Sequence, residues 1–578
     1  MDTNGRDVTW AADLNPRNIV SLDGSLTKTG TGTLTLTGEN SYAGTTTVNA
    51  GTLSIGNGGT SGQINGDIIN NAAIRFDRSD FDSLRGTLSG SGSFVKTGAG
   101  QLYIFHAFDQ GSVTISEGTL SFSDVNVSSD ILNNANLRFN SSENSIYSGA
   151  ASGTGAVLMG NSLGKTIFTG ENTYSGGTTV GASGTLIIGN GGSIAGNISS
   201  SGTVGFDRSD NVTFAGNITD DGKFVKDGTG SVTLSGINNF SAGTTVNEGA
   251  LTLGSFSALG STGTIFLRGG ALKHTAQNTR DYSSRFDDFS TYSVDTNGQE
   301  VTWATNLIAN QPLTKSGEGT LTLTGWKPFG AGTTINGGTL AIGDGGTTGQ
   351  VTGNVTNNGS LRFDRSDAVA FAGDISGSGS LIHAGGGLLT LSGASSYSGS
   401  TQVATGTIDL TGSLRDTAIQ VTGVGALTQA PTGSISGTSS LFMDVATSAF
   451  TTLGGTNTYT GATQISEGRF KLTGSMADTA ITLSNFASLT QEASGVISGA
   501  ASLTLSGTST ASLAGENSYT GGTNINGLRL ELLSEGALGA SGTISFGGGQ
   551  LRHSAANTAD YSTRFSNAAA QAYSIDTN

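Results

Sequence analysis

The five residues Phe-Asp-Arg-Ser-Asp occur three times, at Phe76–Asp80, Phe206–Asp210 and Phe363–Asp367. Each copy sets two carboxylates around a guanidinium and a hydroxyl: Asp77, Arg78 and Asp80; Asp207, Arg208 and Asp210; Asp364, Arg365 and Asp367. Such groups can act as a general acid and base, hold a cation, or hydrogen-bond the hydroxyls of a sugar. The same letters also turn a chain, because Asp and Ser side chains bond to nearby backbone.

Spacing separates these readings. Cleavage of a glycosidic bond needs two carboxylates flanking one bond, within a few ångströms of each other. In a coil of short strands Asp77 and Asp207 fall about six turns apart, roughly 29 Å, so the copies cannot share a site. The second repeat carries FNSSE (Phe139–Glu143) instead, and later repeats carry LTQAPTGSISG or LTQEASGVISG. A structural turn is therefore expected. Phe76 should face inward after Ile74, Asp77 and Asp80 should accept backbone hydrogen bonds, and Arg78 should pair with one of them, with the copies recurring along one side.

Other chemical patterns are weaker. The runs IGNGGTSGQ, IGNGGSIAG and IGDGGTTGQ are similar to calcium-binding nonapeptides, but they are not in tandem and only one carries an Asp, Asp344. GNSLG (Gly160–Gly164) matches a nucleophile elbow, which would also need a strand-to-helix turn and a His partner. His274 and His553 are equivalents in a long repeat, leaving His106 and His383. Trp10 and Trp303 are likewise equivalents, expected to fill or cap the fold, while Trp326 is a candidate for exposure and sugar stacking. No catalytic, cofactor-binding or metal-ligating set emerges, and no enzymatic activity is expected.

The elements that must position these residues are strands. In GTLTLTG, Leu34 and Leu36 share one face while Thr33, Thr35 and Thr37 share the other, the period of a half-buried strand. Gly accounts for 93 residues and Pro for 4, so short strands should end at glycine turns. A net charge of −16 without basic clusters argues against nucleic acid and anionic membranes. Cys is absent, which excludes disulfides and thiolate sites. No apolar run reaches the ~18 residues needed to span a bilayer, and the N-terminus lacks a signal pattern, so the segment reads as an excised piece of a longer chain.

Two periods organise the sequence. ALKHTAQNTRDYSSRF at Ala271–Phe286 returns as QLRHSAANTADYSTRF at Gln550–Phe565, defining two super-repeats, 1–294 and 295–578. Within them, shorter repeats begin at Leu26, Phe94, Leu158, Phe224, Leu313, Leu381, Leu441 and Leu503. Three strands per turn and three turns per repeat predict an all-β solenoid of about 25 turns, on the order of 120 Å long and open at both ends.

The pattern at Leu26–Thr46, with its Asn-x-Tyr-x-Gly-x-Thr step and the variants GENTYSGGTT and GENSYTGGT, resembles the autotransporter-associated β-strand repeat, or passenger-associated transport repeat. The second repeat departs from it with GQLYIFHAFDQG. The resemblance implies a right-handed parallel β-helix in the surface-exposed or secreted part of a bacterial protein, acting as stalk, adhesin or matrix filament. The expected partners are further copies of the chain, associating head to tail or laterally, or host and matrix glycans or proteins. The alternatives are a glycan-binding surface or a polysaccharide-cleaving enzyme on the same fold.

Overall fold

The computed structural model describes residues 1–14, 24–308, 310–446, 450–539 and 541–577. Its strands pair in parallel, and the described helices are two short 3-10 turns, Ser283–Arg285 and Ser562–Arg564. No described helix is long and apolar enough to cross a membrane. The chain is a β-solenoid of about 27 turns. It divides into two compact units, Met1–Asn278 with Arg285–Asp287, and Thr279–Ser284 with Asp288–Asn578.

Alternation builds the core. In the first unit Leu34 pairs with Leu53, Leu53 with Ile74, Ile74 with Phe94, and Phe94 with Val113. All five are buried, each partner standing one turn further along the chain. Every such residue fully withdrawn from water contributes about 1.5–3 kcal/mol. The intervening Thr35 and Thr114 are partly exposed, whereas Ser54 is buried and donates to the Gly56 carbonyl at 3.0 Å.

Three long parallel sheets run through the first unit. One extends from Val8–Trp10 through Thr33–Leu36, Ala73–Asp77 and Ser93–Thr97 to Ala151–Ser152. The second starts at Leu26–Lys28 and continues, through bridges at Phe108 and Val127, to Ile265–Leu267. The third runs from Asp82–Leu84 to Ile218–Thr219. In the second unit, thirteen strands from Gln299–Trp303 to Ile544–Phe546 form the longest sheet that lies wholly within it.

Repeat length and turn length are not matched everywhere. In the first unit the opening strand of each repeat moves to a new sheet: Leu26–Lys28 in the second, Ser93–Thr97 in the first, Ala156–Met159 in the third, and Lys223–Asp227 back in the second. Each step from Leu26 to Phe94, to Leu158 and to Phe224 therefore holds three turns and one extra strand. In the second unit Ser380–His383, Ser440–Val445 and Ser502–Ser506 all lie in the thirteen-stranded sheet, because the steps from Leu381 to Leu441 and to Leu503 are shorter and hold three turns alone. The expected three turns per repeat hold there. Earlier repeats rotate by a face, so Asp77 and Asp207 lie in different sheets rather than along one side.

Candidate functional site

The first Phe-Asp-Arg-Ser-Asp copy sits where the strand Ala73–Asp77 ends. Ile74 and Phe76 point inward, as period two requires. The side chain of Arg78 is 7% exposed and folds back over the preceding turn. Its Nε and Nη2 donate to both oxygens of Asp80 at 2.9 and 2.8 Å, and Nη1 meets Asp82 at 3.2 Å. Nη1 and Nη2 also donate to the carbonyls of Gly62 and Thr60, at 2.8 and 2.7 Å. Asp77 instead accepts from Arg75. Arg78 holds the Asp80 carboxyl below its ordinary range, whereas burial pushes Asp82 up, with the Ser83 amide and Arg78 working against it.

The other copies repeat this geometry. Arg208 donates to Asp210 at 2.7 and 2.6 Å and to the carbonyls of Gly189 and Gly192. Arg365 donates to Asp367 at 2.8 and 2.6 Å and to the carbonyls of Gly349 and Thr347 at 2.5 and 2.7 Å. Arg362 pairs with Asp364, while Asp207 is exposed. The glycine runs and the Asp-Arg loops are therefore two halves of one device, a loop on one turn clamped by an arginine from the next.

Backbone bonds close the clamp: Gly58 N–H donates to Asp77 O at 2.9 Å, and Ser79 N–H to Gly59 O at 2.9 Å. Gly56 and Gly343 have φ of +83° and +89°, and a Cβ there would lie 2.3 and 2.4 Å from the carbonyls of Asp77 and Asp364. Only glycine fits such an approach at that angle. Each arginine thus holds the second aspartate of its copy, Asp80, Asp210 or Asp367. Arg285 and Arg564, from the long-repeat motif, hold carbonyls in the same way, at Gly260 and Gly263 and at Gly539 and Gly542.

The remaining candidates are placed as follows. His274 and His553 each turn Nδ1 toward the carbonyl four residues on, at 3.0 and 3.2 Å, and His106 is exposed. Gly160–Gly164 leads into the strand Lys165–Phe168, not a helix, so it is no nucleophile elbow. Trp303 is buried and Trp326 is 43% exposed. Among the described residues no group of three or more His, Asp or Glu could hold a metal ion.

Two buried polar systems escaped the sequence reading. Lys28, Lys96, Lys226 and Lys315 are fully buried and use Nζ to bond carbonyls. Lys315, for example, reaches Ser316 at 3.1 Å, Gly317 at 2.7 Å and Gly337, one turn on, at 3.0 Å. Their signal is period two itself, which puts Lys28 on the same inward face as Leu26. Burial pushes Lys96 and Lys315 down to about 8, nearby acids opposing it, and the carbonyl cage also favours the ammonium.

The second system is the Asn-x-Tyr-x-Gly-x-Thr step. Asn172 accepts from the Ala151 N–H of the previous turn at 3.0 Å and donates to the Ser193 carbonyl of the next at 3.0 Å. Two residues on, the Tyr174 hydroxyl lies 2.6 Å from that of Thr178. Tyr42 and Thr46, Tyr397 and Thr401, Tyr459 and Thr463, and Tyr519 and Thr523 form the same pair at 2.6 to 2.9 Å.

The passenger-associated-transport-repeat model matches residues 26–55, 162–188, 224–253, 313–342, 381–410, 451–472 and 498–527, which contain several of these lysines, asparagines and tyrosines. The chain is an autotransporter passenger repeat region. It is also 32% identical, over 171 residues, to the adhesin BmaC autotransporter of Brucella suis biovar 1 (strain 1330). That match takes in 28% of this chain and 5% of the relative, so the chain spans a small part of that protein. No solved structure matches it. The passenger family implies a surface or secreted, extracellular location.

The buried tyrosines of the passenger repeat make stability depend on alkaline pH. Burial pushes Tyr519 up to about 12, and Tyr174, Tyr397 and Tyr459 higher still, each against its threonine bond. A folded pKa above the unfolded value of about 10 leaves stability intact below that pH and removes it as pH rises further. In an alkaline titration the buried set should ionise only together with loss of β-structure. Ionisation of these buried tyrosines near pH 10 with an unchanged circular dichroism spectrum would contradict this.

Proposed function

We propose that this passenger segment serves as a stalk on or outside the bacterial surface, part of an adhesin that holds a binding region away from the cell. The observation that carries this reading is the use of the repeat's polar residues. Lys315, Asn172, Tyr174 and the three clamp arginines all bond from one turn to the next or within the core. A motif used in this way maintains length and stiffness. The relative's name as an adhesin supports the same setting.

A polysaccharide-cleaving role has less support, because Asp80, Asp210 and Asp367 are already bonded at both oxygens by arginine. Deleting residues 381–440, three whole turns, from the full-length protein should leave it folded on the cell and shorten its reach in electron micrographs. Cleavage of an acidic polysaccharide by the 578-residue chain, lost on Asp77→Asn or Asp207→Asn, would overturn the stalk reading.

A further inference from the structure

Phe81, Tyr103 and Phe105 converge on one outward face of the first unit. The Phe81 and Tyr103 ring centroids are 5.2 Å apart, and Tyr103 and Phe105 stack at 5.6 Å with an interplanar angle of 11°. Phe81 is 63% and Phe105 49% exposed. The fold does not ask for rings there. Other repeats place Thr35, Thr233 and Thr390 where Tyr103 stands, and Thr37, Ser235 and Ser392 where Phe105 stands. In the other Phe-Asp-Arg-Ser-Asp copies Phe81 corresponds to Asn211 and Ala368. Three independent departures from the repeat thus meet at one place.

Polar groups border the rings on the next strands of the same sheet. Tyr103 is in register with Ser83 on one side and Ser121 on the other. The Asn140 amide reaches the Tyr103 hydroxyl at 3.5 Å and accepts from Arg138 at 3.1 Å, and Gln101 donates to Ser121 at 2.7 Å. Asp80, fixed by Arg78, adds a half-exposed carboxylate beside Phe81.

We propose that this face is a binding platform for an uncharged glycan, with the apolar faces of its pyranose rings on Phe81 and Phe105 and its hydroxyls on Asn140, Gln101 and Asp80. Ring faces take the C–H side of a sugar, and amides and carboxylates take its hydroxyls. Three partly exposed rings offer a few hundred Å² at most, against about 800 Å² per partner in a stable protein interface. A few sugar units fit that area and a second protein does not. This deepens the adhesin part of the proposed function and rests on it, while the stalk reading stands if the platform fails.

The test uses the whole chain and a triple variant, Phe81→Asn, Tyr103→Thr and Phe105→Thr, which restores residues the other repeats already carry. Cellohexaose, chitohexaose and maltohexaose are titrated calorimetrically against both proteins, with sedimentation of each run in parallel. At least one oligosaccharide should bind the parent chain and lose at least about tenfold in affinity to the variant, with the melting temperature unchanged. Silence toward all three, equal binding by the variant, or a parent chain that dimerises where the variant does not, would each overturn the proposal.

Discussion

Replacing Arg78 with methionine is expected to loosen the first unit by on the order of 3–5 kcal/mol, the cost of removing one partner from a buried charge cluster. The substitution keeps the aliphatic stem and removes every donor. Asp82, only 12% exposed, loses its cation, and the carbonyls of Thr60 and Gly62 lose their donors. Amide exchange should rise first from Gly56 to Gly62, the loop that the guanidinium clamps. Arg208→Met should cost less, because Asp210 is 56% exposed and Val212 stands in the place of Asp82. Equal denaturant midpoints for Arg78→Met and the parent chain would show that the clamp contributes nothing.

Lys315→Met should also be damaging in the second unit, leaving the carbonyls of Gly317 and Gly337 without a donor at about 1–3 kcal/mol each, while the Ser316 carbonyl keeps its bond from the Thr296 amide. Lys315→His should recover part of the loss. His383 occupies the equivalent place one repeat later, with Nε2 3.0 Å from the Gly387 carbonyl. The lysines also give a pH signature opposite in sign to that of the tyrosines. A folded value of about 8 for Lys96 and Lys315 lies below the unfolded value of 10.5, so the unfolded chain holds more protons between those values. Stability should therefore rise from about pH 8 toward pH 10, where the tyrosines begin to reverse it. A melting temperature that falls steadily over that range would contradict both readings of these groups.

Much of the fold is legible in the residues, because alternation such as Leu34 and Leu36 against Thr33 and Thr35 has one physical outcome in a half-buried strand. The Asp-Arg loops and the glycine runs were each visible as turns, but not as partners. Arg78 and Gly62 are distant in the chain, and what joins them is that one loop lies on the other across adjacent turns. The buried lysines were legible in principle, since Lys28 shares a face with Leu26. The prior that lysine faces water outweighed that signal, and only the ring of carbonyls around Nζ reconciles the two. The aromatic platform could not be read because Phe81 and Tyr103 belong to different repeats and meet only through the pairing of Asp82–Leu84 with Gln101–Ile104.

The mismatch between repeat length and turn length makes chain length a control over direction. In the first unit each repeat adds one strand beyond three turns, so any side chain copied faithfully from repeat to repeat points out of the next face and the copies spiral. In the second unit the extra strand is dropped after Ser380–His383, and copied side chains line up in a stripe. Gaining or losing a single strand in one repeat would re-aim the repeats that follow it without altering a residue within them. Evolution of such a protein can thus choose between engaging its surroundings from all sides and from one, by an insertion shorter than a single turn.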